Sequence, residues 1–457
     1  QIRNVGMYRM QVFGPRLTGM HWHKHKVSAK HFQEYKNLGQ RMPVAVALGG
    51  DPVYAYSATA PLPENVDEYM LAGFLRKKKV ELVSCITQPE IEVPADADFI
   101  IEGYVDPQDE LIWDYSLPDY YPRFHITAIT HKKQAVYPAT IVGIPPQEDA
   151  WLGKATERIF LAPIKMTVVP EIIDMDMPVE GVFHNLVIAQ IKKDYAGQGQ
   201  KVMNALWGAG QMMFNKILVL SDERTKIQDY LGLARSVFQQ LNPATDISFS
   251  QGPMDVLDHS CSKLGFGGKM CIDGTFKFDE ETSDSWFFPV PKAIPDSADW
   301  KARFPEIHQV NTTLVQLGIP CLLVAVQKNR SGHLRELHPL LAGLPECLGI
   351  KMILYVEPTI DVTDLPVALW RFCNNLDPKR DSQLYEYTLP GVPAQRTACL
   401  GLDGTLKTRE WDGFTRDWPN IIIADEATIQ SVDRKWTTLG LGSFLSSPSL
   451  KFKPQVY

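Results

Sequence analysis

The residues with the most chemistry in this chain stand near its start, in Arg3-Asn4-Val5-Gly6-Met7-Tyr8-Arg9 and in Met20-His21-Trp22-His23-Lys24-His25. Val5 and Met7 alternate with Asn4, Gly6 and Arg9, and Gly14-Pro15 with Gly19 mark a turn. The spacing therefore predicts one β-hairpin carrying both stretches. In an extended strand, side-chain direction repeats every two residues, which puts His21, His23 and His25 on one face. An amide oxygen, an arginine and imidazoles on paired strands can hold a metal and an anion together. Each residue also has a plainer use. A strand arginine is usually solvated or salt-bridged, and a single histidine is more often structural than a ligand. Spacing alone leaves open which histidine would bind.

The elements that must position these groups follow from length and pattern. With 457 residues, the chain is too long for one ordinary core, and two or three domains are expected. The composition, 45% hydrophobic and 22% charged, is that of a globular protein. A formal net charge of -7 provides no basic surface for nucleic acid, and the short run Arg76-Lys77-Lys78-Lys79 reads as a helix C-terminus meeting its dipole. No apolar run approaches a membrane span, and there is no signal-peptide pattern. Seven cysteines without CxxC spacing point to reduced thiols and a cytoplasmic setting.

Residues 1 to about 145 read as short strands separated by turns, among them 44–48, 80–86, 99–105 and 124–130, which suggests a barrel-like β domain. One helix interrupts them, from Asn65 to Lys77, with Met70, Leu71, Phe74 and Leu75 on its apolar side. Glu68, three residues after Asn65, reads first as its capping-box partner. A helix from Glu148 to Phe160 leads out, and strands then alternate with helices, the pattern of a largely parallel α/β sheet. That pattern repeats. Lys193 and Gly197 recur as Lys328 and Gly332, Lys216-Ile217-Leu218-Val219 as Lys351-Met352-Ile353-Leu354, and Asn242-Pro243 as Asp377-Pro378, each 135 positions on. Asp273-Gly274-Thr275 recurs as Asp403-Gly404-Thr405 at 130. Ordered matches at nearly constant spacing indicate a duplicated α/β unit. Gly267-Gly268-Lys269 reads as a loop able to bring amides and an ammonium to an anion. Thr397-Ala398-Cys399 replaces it in the second copy, so a working first copy and a structural second one are expected.

These stretches, with Ala45-Val46-Ala47-Leu48-Gly49-Gly50-Asp51-Pro52, Pro63-Glu64-Asn65-Val66-Asp67-Glu68-Tyr69, Ile191 to Gly197 and Leu264 to Met270, resemble the UbiD family of decarboxylases, which use prenylated FMN. The second α/β copy resembles a longer branch associated with menaquinone biosynthesis. The resemblance implies an α+β multidomain fold. A split β-barrel flavin-binding domain would span 1–165, an α/β domain 166–300 and a second, degenerate copy of the α/β unit 301–457. The family also has an N-terminal domain before the barrel, and the start at Gln1 in mid-strand leads us to expect residues ahead of it.

The implied reaction is reversible, non-oxidative loss of CO2 from an aromatic or conjugated carboxylic acid, a naphthoate by branch resemblance. Arg9 falls on the family's catalytic arginine. Asn4, His25 and Glu68 fall where the family holds Mn2+ (or Mg2+) beside K+ against the cofactor phosphate, which displaces the capping role of Glu68 and leaves His21 and His23 as structural histidines. Gly6, Met7 and Tyr8 would lie along the isoalloxazine. Arg9, Lys24, His25 and Pro61 would make further cofactor contacts, and Lys269 would reach the phosphate end. A flavin prenyltransferase is implied as cofactor supplier, and a homo-oligomer is expected.

The sequence departs from the family at one place. A Glu-Gly-Pro-x-Gly-(Asp or Glu) loop should follow Glu102-Gly103-Tyr104. The text instead runs Asp109-Glu110-Leu111-Ile112-Trp113-Asp114, and the join at Trp113-Asp114 resembles a splice across a gap. Either the sequence omits a mobile loop or the protein has lost it. Glu110 and Asp114 are the nearest surrogates. The alternatives are a non-catalytic flavin- or metal-binding scaffold, or a metal hydrolase using the His21, His23, His25 face.

Overall fold

The computed structural model describes residues 3–22, 27–63, 66–114, 119–140, 143–182, 184–389 and 391–456. The chain divides into two units, 1–140 and 141–457.

In the first unit β1 (Met10–Gly14) and β2 (Leu17–Met20) form a hairpin, followed by α1 (Val27–Leu38), β3 (Met42–Leu48), α2 (Pro52–Thr59) and α3 (Glu68–Arg76). Then come β4 (Leu82–Ser84), β5 (Glu92–Pro94), β6 (Phe99–Val105), β7 (Ile112–Asp114), β8 (Asp119–Tyr121) and β9 (Arg123–His131). Five strands pair antiparallel in the order β1-β2-β9-β6-β3. Met20, Trp22, Met42, Val105 and Phe124 are buried on one face beneath Ala29, Phe32 and Tyr35 of α1. Cys85, Val93, Ala97 and Ile100 pack together elsewhere in the unit.

This sheet is open, which corrects the expected split β-barrel. Closure requires the two edge strands to meet. Among the described residues β1 pairs only with β2 and β3 only with β6, while β4–β5 and β7–β8 form separate two-stranded ladders. Alternating residues mark strands and faces, but they do not specify which strand edges join. The hairpin is also shorter than expected. Arg3 to Arg9 precedes β1 in irregular backbone, and His21 lies just beyond β2. His23, Lys24 and His25 lie outside the described residues. In α3 the buried face is Tyr69 and Ala72, whereas Met70 and Phe74 are exposed.

The second unit begins with α4 (Glu148–Thr167), β10 (Ile172–Asp176), β11 (Leu186–Ile191), α5 (Gln198–Trp207), β12 (Ile217–Asp222), α6 (Tyr230–Gln240), β13 (Ile247–Pro253) and β14 (Phe266–Asp273). After α7 (Ser297–Arg303) follow β15 (Ile307–Asn311), α8 (Thr313–Gln316), β16 (Cys321–Val326), α9 (His333–Ala342), β17 (Met352–Val356), α10 (Leu365–Asn375), β18 (Ser382–Leu389) and β19 (Val392–Asp403). Shorter helices complete the chain.

The two sheets, β10-β11-β12-β14-β13 and β15-β16-β17-β19-β18, have one topology. Their registers agree residue for residue at the offsets read from the sequence. Ile217 faces Met270 as Met352 faces Leu400, and Ile247 faces Ile272 as Ser382 faces Leu402. Even the irregularity between Ile172 and Asp174 recurs between Ile307 and Gln309. The copies share one core, where Ile217, Leu241 and Met270 pack with Cys321, Met352 and Phe372. Two lysines tie them further. Lys216 donates to the Asn374 carbonyl at the end of α10 (3.4 Å), and Lys351 to the Phe238 carbonyl at the end of α6 (2.6 Å). Lys216 is fully buried against Asp258 at 2.9 Å. All seven cysteines are buried free thiols. Among the described residues no helix is long and apolar enough to cross a membrane.

Candidate active site

The irregular stretch Arg3 to Arg9 is held at several points. The Arg3 guanidinium pairs with Asp67 (3.0 Å) and Glu92 (2.8 Å). The Val5 amide donates to Glu68 Oε2 (2.8 Å), and the Met7 amide to the Ala58 carbonyl (3.3 Å). Such anchoring lets backbone outside any ladder keep one path. The capping role first read for Glu68 belongs instead to Asp67, whose carboxylate accepts from the Tyr69 amide. Asn65 lies outside the described residues. Glu68 is left to face the Asn4-Val5 backbone, and burial raises its pKa against the opposing pull of the Val5 N–H.

Asn4 donates through Nδ2 to the Tyr8 hydroxyl (3.3 Å), which leaves its Oδ1 as an acceptor. Of the three expected metal ligands, Asn4 thus bonds to Tyr8 and Glu68 to the Val5 amide. The third, His25, lies outside the described residues. Among the described residues no group of three His, Cys, Asp or Glu side chains forms a metal cluster. A Cβ on Gly6 would meet the far edge of the Tyr8 ring, which would have to swing aside. Met7 is half-exposed beside it. Pro61 follows the end of α2 in partly buried loop.

Arg9 enters a cluster that sequence reasoning did not assemble. Its Nη2 lies 3.2 Å from His21 Nδ1, and the His21 amide donates to the Arg9 carbonyl (3.1 Å), extending the hairpin ladder past β2. Asp114 Oδ2 lies 3.1 Å from the same Nδ1, with both side chains buried, and the Tyr121 ring stacks on the imidazole at 4.1 Å. One nitrogen cannot accept from the guanidinium and donate to the carboxylate at once. The proton on Nδ1 therefore decides which neighbour His21 holds. Burial lowers the His21 pKa, the Arg9 charge lowers it further, and Asp114 opposes both. His21 was expected to be only structural and Asp114 only a surrogate. Nothing in the spacing of residues 21 and 114 joins them; the pairing of β7 with β8, which brings Asp114 opposite Asp119, and of β2 with β9 does. Glu110 is exposed ahead of β7.

Glu102 lies in β6, within the Glu102-Gly103-Tyr104 motif. It is fully buried and accepts from the Ile86 amide (2.9 Å), the Thr87 amide (2.6 Å) and the Thr87 hydroxyl (2.9 Å). Its desolvation is outweighed by those donors, which hold its pKa below the usual carboxylate range. It organises the loop after β4.

In the second unit, Gly267-Gly268-Lys269 is strand rather than the expected loop, paired antiparallel with β13. The Lys269 ammonium is buried and donates to the Met213 (2.6 Å) and Asn215 (2.7 Å) carbonyls, and burial pulls its pKa down to about 8.

The fold and these residues match known proteins. Residues 1–145 match the Rift-related domain of 3-octaprenyl-4-hydroxybenzoate carboxy-lyase, and residues 150–274 and 288–399 match its C-terminal domain. The chain belongs to the UbiD family. An uncharacterized protein of Archaeoglobus fulgidus is 47% identical over 315 residues, which cover 66% of this chain and 64% of that protein. An uncharacterized protein of Helicobacter pylori is 33% identical over 449 residues, covering 95% of this chain and 68% of its own length. The chain thus spans 64 to 68% of the length of these curated relatives. Among solved structures, the UbiD-class enzyme HmfF from Pelotomaculum thermopropionicum, in complex with FMN, is similar at 26% identity and TM-score 0.52, over 61% of this chain and 63% of HmfF. The closed form of vanillic acid decarboxylase from Sedimentibacter hydroxybenzoicus shares the fold at 22% identity and TM-score 0.55, over 66% of this chain and 65% of that one.

Proposed function

We propose that this chain is a carboxy-lyase, removing CO2 without oxidation from an aromatic or conjugated carboxylic acid. The observation that carries the reading is the meeting of Arg9, His21 and Asp114 in a unit matched by the carboxy-lyase Rift-related domain. In this reaction a C–C bond breaks, CO2 leaves, and the ring or alkene carbon takes a proton in its place. A prenylated FMN, when bound, would supply the sink for the electrons of the broken bond. Arg9's planar fork orients the substrate carboxylate. His21, buried between Arg9 and Asp114, holds the guanidinium when its Nδ1 is bare and releases it when that nitrogen is protonated. Asp114 and His21 together are the nearest store for the proton that replaces CO2.

We assign Asn4, Gly6, Met7, Tyr8 and Pro61, with Lys24 and His25, to cofactor binding. Asn4, Glu68 and His25 are assigned to a divalent ion such as Mn2+, with K+ beside it. Lys269 is left out of the assignment, since both its bonds go to carbonyls of its own unit. The finer reading is a naphthoate substrate in menaquinone biosynthesis, with a flavin prenyltransferase supplying the cofactor and a homo-oligomer working in the cytoplasm. A second reading, a flavin-binding scaffold without turnover, is favoured by the absence of the Glu-Gly-Pro loop between Trp113 and Asp114.

The test uses the chain loaded anaerobically with prenylated FMN. Arg9→Ala is expected to retain the flavin absorption band and lose CO2 release by at least about a hundredfold, as for a group made to orient a reacting carboxylate. Turnover equal to wild type removes Arg9 from the reaction, and a loaded wild type that releases no CO2 from a panel of aromatic acids supports the scaffold.

A further inference from the structure

The second α/β copy, expected to be structural, holds a cavity of about 320 Å3 at the carboxyl end of β16 and β17. Open parallel sheets hold ligands at that end, and the volume falls at the small end of metabolite pockets. Its wall carries two lysines and three aspartates. Lys328 pairs with Asp412 at 2.8 Å, and Lys407 lies 3.1 Å from Asp403 and 3.6 Å from Asp381.

The internal repeat separates scaffold from specialisation. The first copy contains the same network. Lys193 pairs with Glu281 at 2.7 Å, and Lys277 lies 3.3 Å from Asp273 and 3.7 Å from Asp246. A network present in both copies braces the strand ends and needs no ligand to explain it. The arginines on the cavity wall are not shared. Arg330, Arg335 and Arg380 stand where the first copy has Tyr195, Gln200 and Thr245.

Arg380 is committed to Asp381 and to the Ser260 carbonyl (2.7 Å). Arg330 and Arg335 are exposed and flank the first turn of α9, whose Gly332-His333-Leu334 backbone also lines the cavity. Arg330 pairs with exposed Glu336 at 2.6 Å, an ion pair weakly held at a surface. Arg335 has no carboxylate partner among the described residues. With Glu336 counted beside the three carboxylates of the wall, the five cationic side chains leave one surplus charge, on exposed Arg335. Trp411 adds an aromatic ring to the lining.

We propose that the second α/β copy binds a small molecule bearing a phosphate group, with the phosphate between Arg330 and Arg335 and the body beside Trp411. A carboxylate has two oxygens, which one guanidinium fork can saturate. A phosphate offers enough oxygens for two forks and for the amides of a helix start. The site does not depend on the decarboxylation reading.

Isothermal titration of the full chain with inorganic phosphate and with pyrophosphate tests this, with malonate and matched sodium chloride as controls. Saturable binding of a phosphate probe is expected, weakened about tenfold or more in Arg330→Ala/Arg335→Ala. Because both side chains are exposed, the double variant should melt like wild type without anion. Malonate binding as tight as phosphate overturns the phosphate assignment. Absence of saturable binding, or equal affinity in the double variant, overturns the site.

Discussion

The imidazole of His21 sits between a cation and an anion that address the same atom. Removing the anion tests that coupling. In Asp114→Asn the carboxylate that favours the imidazolium is gone, while burial and Arg9 still oppose it. The His21 pKa is therefore expected to fall further below its ordinary value. A ring-proton NMR titration, with His21 identified by its loss in His21→Gln, reads the shift directly. An unchanged or higher pKa would mean that Asp114 does not govern the proton on His21. Arg9 was legible in the sequence because its motif is local. Its two neighbours were not, because residues 21 and 114 meet only through strand pairing.

At the scale of the element, β6 shows why one residue type can be forced by a neighbouring strand. The ladder with β9 is irregular between Glu102 and Gly103, and a Cβ on Gly103 would overlap the His125 carbonyl oxygen. That close approach turns Glu102 inward to the Ile86 and Thr87 amides. Gly103→Ala is expected to destabilise the first unit by about 3 kcal/mol, the scale of overpacking against a fixed backbone. Urea unfolding measures it, and a loss under about 0.5 kcal/mol, the range of neutral surface changes, would show that β9 can yield. The longer strands β3, β6 and β9 were legible from alternation and turns, whereas the short β5, β7 and β8 were not. The openness of the sheet was not, since period two fixes which face a side chain takes and not which edges pair.

Across the whole molecule, duplication gives the second unit an internal control. His338 in α9 replaces Met203 and is accommodated by Gly401, which replaces Cys271. It is buried between the Tyr355 hydroxyl (3.0 Å) and the Cys399 carbonyl (3.1 Å). Burial pushes its pKa down to about 4, against the smaller opposing effect of the Cys399 carbonyl. Between about pH 6.5 and 4 the unfolded chain therefore binds a proton that the folded unit refuses. The associated stability is fully present above about pH 6.5 and is lost as pH falls to about 4, up to about 3 kcal/mol. His338→Gln should lower stability at neutral pH but flatten its slope across that window, as followed by thermal melts. An unchanged slope would show that His338 takes its proton without unfolding.

By itself the sequence determined the duplicated α/β unit, because a repeat constrains register through its own spacing, and it carried the motifs at Arg3 to Arg9 and Glu68 that locate the family. It also placed the strands at 42–48, 99–105 and 123–131 and, within a longer expected helix of 65–77, the helix of residues 68–76, whose signals are local. Tertiary structure alone decided that the first sheet stays open, that Gly267-Gly268-Lys269 is strand, that Asp67 rather than Asn65 caps α3, and that His21 and Asp114 meet at Arg9. Each of those depends on which distant backbone arrives alongside, and distant pairing is set by the packing of the whole core, which no window of sequence contains.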